Sequence, residues 1–435
     1  MITLLDVLYA LVLLVGSPYW LFRLVTSSRY RKGLAQRFGA LPRGAIKSGR
    51  IGPARPIWIH CVSVGELNAA RTFIDGVEKR FPGKSWIVSC FTAAGFEQAR
   101  KRYGADRTIY LPIDLTPVAS KVLKRINPAC IVLVELELWP NFLRRARKLG
   151  IPVLVVNGRI TERTARRLRW ARLFFGPGLR DVPDLYCVQT ETYRDRLLSL
   201  GVPERRIRVT GTMKYDTVAT SVEPEVKQRL REQLGFAPDA RLIVGGSTWP
   251  GEEEVILKAY ARLREEFADL RLLLAPRHIE RADEVDRAVR AAGFEPLRRT
   301  RMQKTVDTPP DKRKNSVFVL DTLGELAAAY SLATVTFVGK SLRTGGGQNM
   351  LEPAALGVPV IYGPQTSNFT SEAELLAQAG AAEVVANDEA LYPCLRRLLG
   401  DDARRLSMAE AARKIVAENR GATSRHIEAL AELVH

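Results

Sequence analysis

Short apolar runs separated by amphipathic stretches recur along nearly the whole chain, and this alternation restricts the fold more than any other feature. The first set comprises Ile57–Val62, Trp86–Phe91, Thr108–Leu111, Cys130–Glu135, Val153–Asn157 and Ile207–Thr210. The second comprises Leu242–Gly245, Arg271–Ala275, Val317–Leu320, Val335–Gly339 and Val358–Tyr362. Runs of this kind suit strands buried on both faces, and strands alternating with helices suit parallel sheets covered on both sides. Two such sets predict an α/β protein of two Rossmann-like domains with a cleft between them. Periodicity fades over Asp216–Pro224, so the predicted division is residues 28–218 and 219–435. Arg299–Asn315 is basic, contains two prolines and reads as a flexible insertion.

A third segment precedes both sets. Leu4 to Leu24 is nearly all apolar and about as long as one membrane-spanning helix. We expect residues 1–27 to form a membrane-anchor helix; Gly16, Ser17 and Pro18 also allow a kinked or re-entrant one. No basic stretch precedes the apolar run, so a cleaved signal peptide fits poorly. Eight Lys and Arg and no acid lie between Arg23 and Arg50, which predicts that the body of the protein stays on the cytoplasmic face. The bland alternative is a buried helix of a soluble domain.

Charge separates the two halves. Met1 to Tyr215 holds 37 Lys and Arg against 15 Asp and Glu, whereas the remainder holds 29 against 32; the whole chain carries +19. A basic half beside a near-neutral half implies that one half meets a polyanion. Nucleic acid and an anionic membrane are the usual candidates. The basic residues follow an apolar anchor and no RNA- or DNA-reading motif occurs, so the membrane is expected and nucleic acid is not. The five cysteines (Cys61, Cys90, Cys130, Cys187, Cys394) form no metal-like spacing and read as reduced core residues.

No G-x-G-x-x-G with a downstream acid and no P-loop motif is present, which removes the main support for dinucleotide dehydrogenase and P-loop readings. No convincing D-x-D metal site occurs either. Polar clusters instead follow the strand-like runs, where ligands bind in open parallel sheets. They are His60–Glu66, Glu135–Asn141, Gly211–Asp216, Gly246–Thr248, Pro276–His278, Asp321–Glu325 and Gly345–Pro353. Each has a structural alternative. Glu66 could cap a helix, Glu135 and Glu137 could pair with Arg144 and Arg145, and Lys214 and Arg277 could be solvated cations. The Gly345–Gly347 run before a helix suits an anion, although alone it is a weak signal. Their coincidence on one edge of two sheets favours a site.

In chain order the clusters read CVSVGE, ELELWPN, NGRIT, GTMKYD, PRH, DTLGEL, FVGKSL, GGGQNMLEPAALGVPV and YGPQTSNF. This series resembles the Kdo transferases, which add 3-deoxy-D-manno-oct-2-ulosonic acid (Kdo) to lipid A precursor. The resemblance runs from the anchor to about Phe369. It implies a GT-B fold, with the acceptor and membrane handled by the first domain, CMP bound by the second, and a last helix that crosses back. CMP-Kdo would be the donor, the tetra-acylated lipid A precursor the acceptor, and the cytoplasmic face of the inner membrane the location. By the same resemblance Glu66 matches the general base, and Glu135 and Lys214 match groups that stabilise the transition state. Pro276 and Arg277, then Leu323, Gly324 and Glu325, then Asn349, Met350, Leu351 and Glu352 match the CMP-binding segments. No metal cofactor is expected.

The chain departs from the family pattern at Gln348, where some members carry histidine, and at Trp249, where a histidine can follow the Ser-Thr pair. It departs again at Lys340, in a loop that is often Gly-Gly. Two rival readings remain at this level. One is a GT-B transferase that uses a UDP-sugar, because E-P-x-x-x-G-x-P is widely shared. The other is a non-catalytic membrane-bound binding protein.

Overall fold

The computed structural model describes residues 3–26, 31, 33–42, 55–175, 183–235, 237, 239–301, 315–343 and 345–434. Most of the expected insertion at 299–315 lies outside the described residues. The chain forms two compact units: Met1–Thr217 together with Arg420–His435, and Val218–Asn419.

The first unit is built on a seven-stranded parallel sheet. Its strands are β1 (Ile57–Cys61), β2 (Trp86–Cys90), β3 (Thr108–Tyr110), β4 (Cys130–Val134), β5 (Val153–Gly158), β6 (Leu185–Val188) and β7 (Ile207–Val209), in the order β3-β2-β1-β4-β5-β6-β7. β1 pairs with β2 on one side and β4 on the other, Ile57 lying opposite both Trp86 and Cys130. The two faces carry separate cores. Trp58 packs edge-on against Phe142, with ring centroids 5.1 Å apart. Ile57, Ile59 and Cys61 point the other way, toward Phe73, Ile74 and Leu430. Adjacent strand residues thus serve opposite layers, which explains the unbroken apolar runs.

Leu430 belongs to the last helix, Ala422–Leu433, which packs on this unit. The Asp216 carboxylate caps it, accepting the N–H groups of Gly421 at 2.7 Å and Thr423 at 2.6 Å. In the same helix His426 is fully buried and accepts the Asn157 N–H on Nε2 at 2.9 Å. Burial depresses its pKa to about 4, so the ring is neutral, as an accepting nitrogen requires.

The N-terminal segment is not one anchor helix. It forms two helices, Leu4–Val15 and Ser17–Thr26, bent by 62°. No single helix among the described residues is long and apolar enough to cross a membrane. Gly16 marks the break, and Pro18 takes the second position of the second helix, where its missing N–H costs nothing. Val7, Leu8, Leu11, Val12, Leu14, Val15, Leu21, Phe22 and Val25 are exposed, so this is no buried helix of a soluble domain. A polar node pins the first helix to the unit. Asp6 accepts the Thr116 N–H at 2.7 Å and an Asn141 amide N–H at 3.1 Å. Asp114 accepts the N–H groups of Asn141 at 3.1 Å and Phe142 at 2.7 Å. Helices Thr116–Ile126 and Pro140–Lys148 have no cap from their own preceding residues, Leu115 and Trp139; Asp6 and Asp114 supply both.

The second unit repeats the plan. Its strands are β8 (Leu242–Thr248), β9 (Arg271–Pro276), β10 (Glu295–Arg298), β11 (Ser316–Val319), β12 (Val335–Val338), β13 (Val360–Tyr362) and β14 (Ala382–Val384), in the order β10-β11-β9-β8-β12-β13-β14. All described pairs are parallel. The helices Glu252–Glu266 and Leu391–Gly400 cover one face, and Pro224–Leu234 and Leu326–Leu332 the other. The five described cysteines are free and buried.

Candidate functional site

The strand order reverses between β1 and β4 in the first unit and between β8 and β12 in the second, whose edge also places β11 between β10 and β9. The crevice beyond the carboxyl ends at such a reversal is where open α/β sheets bind ligands. Several residues expected from the sequence lie at these ends, whereas Leu323, Gly324 and Glu325 follow β11, two strands from β8.

In the first unit, Glu66 lies in the helix Val64–Ala69 that follows β1. Its Oε2 accepts the Val62 N–H at 2.7 Å. The helix-capping role therefore exists, but it does not account for the charge environment. Burial lifts the Glu66 pKa from its ordinary 4.5 to about 8; the Val62 hydrogen bond opposes the shift, and the charges of Glu135 and Glu137 add to it. A carboxyl in this state changes protonation near neutral pH, as a proton acceptor must.

Glu135 follows β4 directly. It is held at φ +60° by a bond from its N–H to the Val156 carbonyl at 2.9 Å. That is an uncommon conformation for a residue with a side chain. Burial raises its pKa, and Arg159 and Lys214 pull it back. The counter-charges of Glu135 are therefore Arg159 and Lys214; Arg145 instead donates to Ser120 at 2.7 Å. Glu137 is exposed, and its pKa is raised by desolvation and by Glu135. Arg159 was not assigned a role from the sequence, although it stands in the NGRIT stretch. Asn157, at φ +53°, accepts the Met213 N–H at 3.2 Å on its side-chain oxygen. This bond ties the end of β5 to the segment that carries Lys214.

In the second unit, Pro276 is the buried last residue of β9 and Arg277 is exposed beyond it, its N–H bonded to the Thr248 carbonyl at 3.1 Å. Asn349 spans the turn into the helix Leu351–Ala355, donating to Glu352 at 3.0 Å and accepting the Leu351 N–H at 3.2 Å. Burial raises the Glu352 pKa, while Asn349 and Arg277 oppose the rise. Arg277, Asn349 and Glu352 therefore share one electrostatic environment. Met350 and Leu351 have fully buried side chains, so they can offer a ligand only backbone. The helix has five residues, too few for a strong macrodipole; the expected anion attraction at its start is weaker than the glycine run suggested.

Leu323 is 77% exposed and Gly324 has φ +91°. Glu325 is bound by Arg299 at 2.8 Å and by the Thr322 hydroxyl. These bonds outweigh partial burial and keep its carboxyl below the usual range. A cavity of about 560 Å³ adjoins the glycine loop, lined by Gly345, Gly346, Gln365, Thr366 and Thr370 among others. Among the described residues no group of three or more His, Cys, Asp or Glu is placed to hold a metal ion.

Residues 32–217 match the family described as 3-Deoxy-D-manno-octulosonic-acid transferase (kdotransferase). A 3-deoxy-D-manno-octulosonic acid transferase of Haemophilus influenzae is 30% identical, the match covering 93% of this chain and 92% of that protein. One of Bordetella pertussis is 33% identical over 87% of each. Among solved structures, a glycosyltransferase of Rickettsia africae aligns with a TM-score of 0.56 at 14% identity, over 87% of this chain and 98% of that one. The structural likeness speaks to fold alone and is that of GT-B glycosyltransferases. The sequence matches reach further: covering 93% and 87% of the chain, they extend into both units, and they place this chain in the 3-deoxy-D-manno-octulosonic acid transferase family of glycosyltransferases.

Proposed function

We propose that this chain transfers Kdo from CMP-Kdo to the lipid A precursor lipid IVA, with inversion, at the cytoplasmic face of the inner membrane, as a step in lipopolysaccharide biosynthesis. The observation that carries the reading is Glu66. It is a buried carboxyl tuned to about 8 at the strand reversal of the first unit, and the cations Arg159 and Lys214 act on the neighbouring Glu135.

In this reading an acceptor hydroxyl gives its proton to the Glu66 carboxylate as its oxygen bonds to the anomeric carbon of Kdo. The bond from that carbon to the CMP phosphate oxygen breaks, and CMP leaves with the electron pair. Attack from the face opposite the leaving group inverts the centre. Glu135 and Lys214 stabilise charge at the reacting atoms. Arg277, Asn349 and Glu352 hold the nucleotide, Glu352 through the ribose hydroxyls, with Pro276, Leu323, Gly324, Glu325, Met350 and Leu351 shaping the pocket. Arginines and the dipoles of loop N–H groups meet the single phosphate without a metal.

The apolar surface of the N-terminal helix pair supports membrane attachment. So does the helix Glu162–Phe175, which exposes Arg163, Arg166, Arg167, Arg169 and Trp170; basic and aromatic residues together suit an anionic interface. The test is mass spectrometry of the product formed by purified protein from CMP-Kdo and lipid IVA, with a UDP-sugar in parallel. A product heavier than the acceptor by Kdo supports the reading. Transfer from the UDP-sugar alone, or from neither donor, refutes it.

A further inference from the structure

We propose that Lys340, braced by Trp249, binds the carboxylate of the donor's acidic sugar; this rests on the reading of CMP-Kdo as donor. Trp249 follows β8 and Lys340 follows β12, so both stand at the strand reversal of the second unit. The Lys340 ammonium lies 4.6 Å from the centre of the Trp249 indole. The His278 ring, from the loop after β9, meets the same indole edge-on at 5.5 Å.

One buried carboxylate fixes both loops. Glu252 is fully buried and accepts four backbone N–H groups: Trp249 at 2.9 Å, Lys340 at 2.8 Å, Ser341 at 2.9 Å and Leu342 at 3.1 Å. Lys340 is held at φ +58°, a conformation that favours glycine. Its stem runs beside Gly346, where an added Cβ would meet Lys340 Cε at 3.4 Å. The backbone that carries the ammonium is thus rigid, and the ring beneath it limits where the charge can go.

The charge itself is uncompensated. Arg281 is paired with Glu253, Arg299 with Glu325 and Arg343 with Asp388. Glu252 holds the Lys340 backbone, but among the described residues the Lys340 ammonium makes no ion pair, although the residue is half-buried. A fixed, partly desolvated cation without a counter-charge is an anion receptor. The donor offers two anions, a phosphodiester and a sugar carboxylate. Arg277 extends from the β9 side of β8, beside Glu352, and Lys340 from the β12 side, two strands or roughly 10 Å away at the backbone. The nucleotide side therefore has its own cation, and Lys340 is left for the sugar acid.

The experiment compares wild-type protein with Lys340→Met, Lys340→Gly and Lys340→Arg. It measures Kd for CMP and for CMP-Kdo by calorimetry and KM for CMP-Kdo in the transfer assay. Lys340→Gly relieves the left-handed backbone, so its folded state is retained, as a thermal unfolding control will show. The Met and Gly variants should bind CMP-Kdo roughly 10- to 100-fold more weakly with CMP affinity unchanged, and Arg should restore part of the loss. A parallel loss of CMP affinity would assign Lys340 to the phosphate and overturn the carboxylate assignment. Unchanged values for both ligands would make Lys340 a loop cation and overturn it as well. Wild-type protein that binds no CMP-Kdo overturns the donor reading and this proposal with it, whereas wild-type binding of CMP-Kdo together with either of those two contrary variant results overturns this proposal alone.

Discussion

Asp6 caps a helix to which it does not belong: its Oδ1 accepts the Thr116 N–H at 2.7 Å, across 110 positions of sequence. The same oxygen holds the Asn141 amide, and Asn141 closes the segment that begins at Glu135. The N-terminal helix pair is therefore part of the first unit's framework, and the chemistry of its node has measurable consequences.

Asp6→Ala removes a cap and leaves the Thr116 N–H and an Asn141 donor unpaired in a buried place. We expect a loss of about 2–4 kcal/mol in stability, seen as a lower Tm by calorimetry in detergent. Asp6→Asn, which keeps one acceptor oxygen, should lose less. Equal Tm values for wild type and both variants would show that the node bears no load.

Deletion of residues 1–27 should release much of the protein from membranes, and it should also lower Tm, because Asp6 goes with it. Binding that remains through the basic surface should weaken with salt, since the screening length falls to about 3 Å at 1 M. Sedimentation with anionic vesicles measures this. A truncated protein that stays bound at high salt would point to a larger apolar docking surface.

Glu66→Gln keeps the Val62 contact but cannot take a proton. Loss of general-base assistance should slow transfer by about 10²–10⁴-fold with CMP affinity unchanged. For the wild type, kcat should rise with pH toward about 8, the Glu66 value in the unliganded protein, because the carboxylate is the active form. A Glu66→Gln variant with near wild-type rate would reduce Glu66 to its capping role and move the search for a base to Glu135 or Glu137.

The same group makes a stability prediction. The folded-state pKa of Glu66 is raised from 4.5 to about 8, so the unfolded chain releases this proton first as pH rises. Wild-type stability contributed by the neutral carboxyl is complete below 4.5 and is lost progressively up to about 8. Gln has no such loss. The stability advantage of Glu66→Gln over wild type should therefore grow between these pH values by roughly 2–4 kcal/mol, read from denaturant midpoints at pH 5 and pH 9. A pH-independent difference would mean that Glu66 titrates normally.

Transfer should proceed at full rate in EDTA, because cationic side chains and loop N–H groups are assigned to the CMP phosphate. Loss of activity that Mg²⁺ restores would contradict this.

Eleven strands and the parallel α/β class were legible in the chain because strands such as β4 and β5 are continuous apolar runs, and polar clusters stand where those runs stop. Three strands were not. Leu185–Val188 and Ala382–Val384 are short, and Glu295–Arg298 is an edge strand whose composition, EPLR, carries no apolar run; pairing with a neighbour, not local pattern, makes them strands. The sequence likewise marked Glu66, Glu135, Lys214, Arg277 and Glu352 by type and position, but not their partners. Arg144 and Arg145 are near Glu135 in sequence, yet Arg159 and Lys214 face its charge, because β5, the neighbour of β4, and β7, two strands further on, deliver their loops to the same edge. The Asp6 cap on Thr116, the Asp216 cap on the last helix and the Glu252 hold on Lys340 join residues 110, 205 and 88 positions apart or more. Local propensity has no term for such distances. Only the packed sheets, by burying those N–H groups away from water, made a distant carboxylate their required partner.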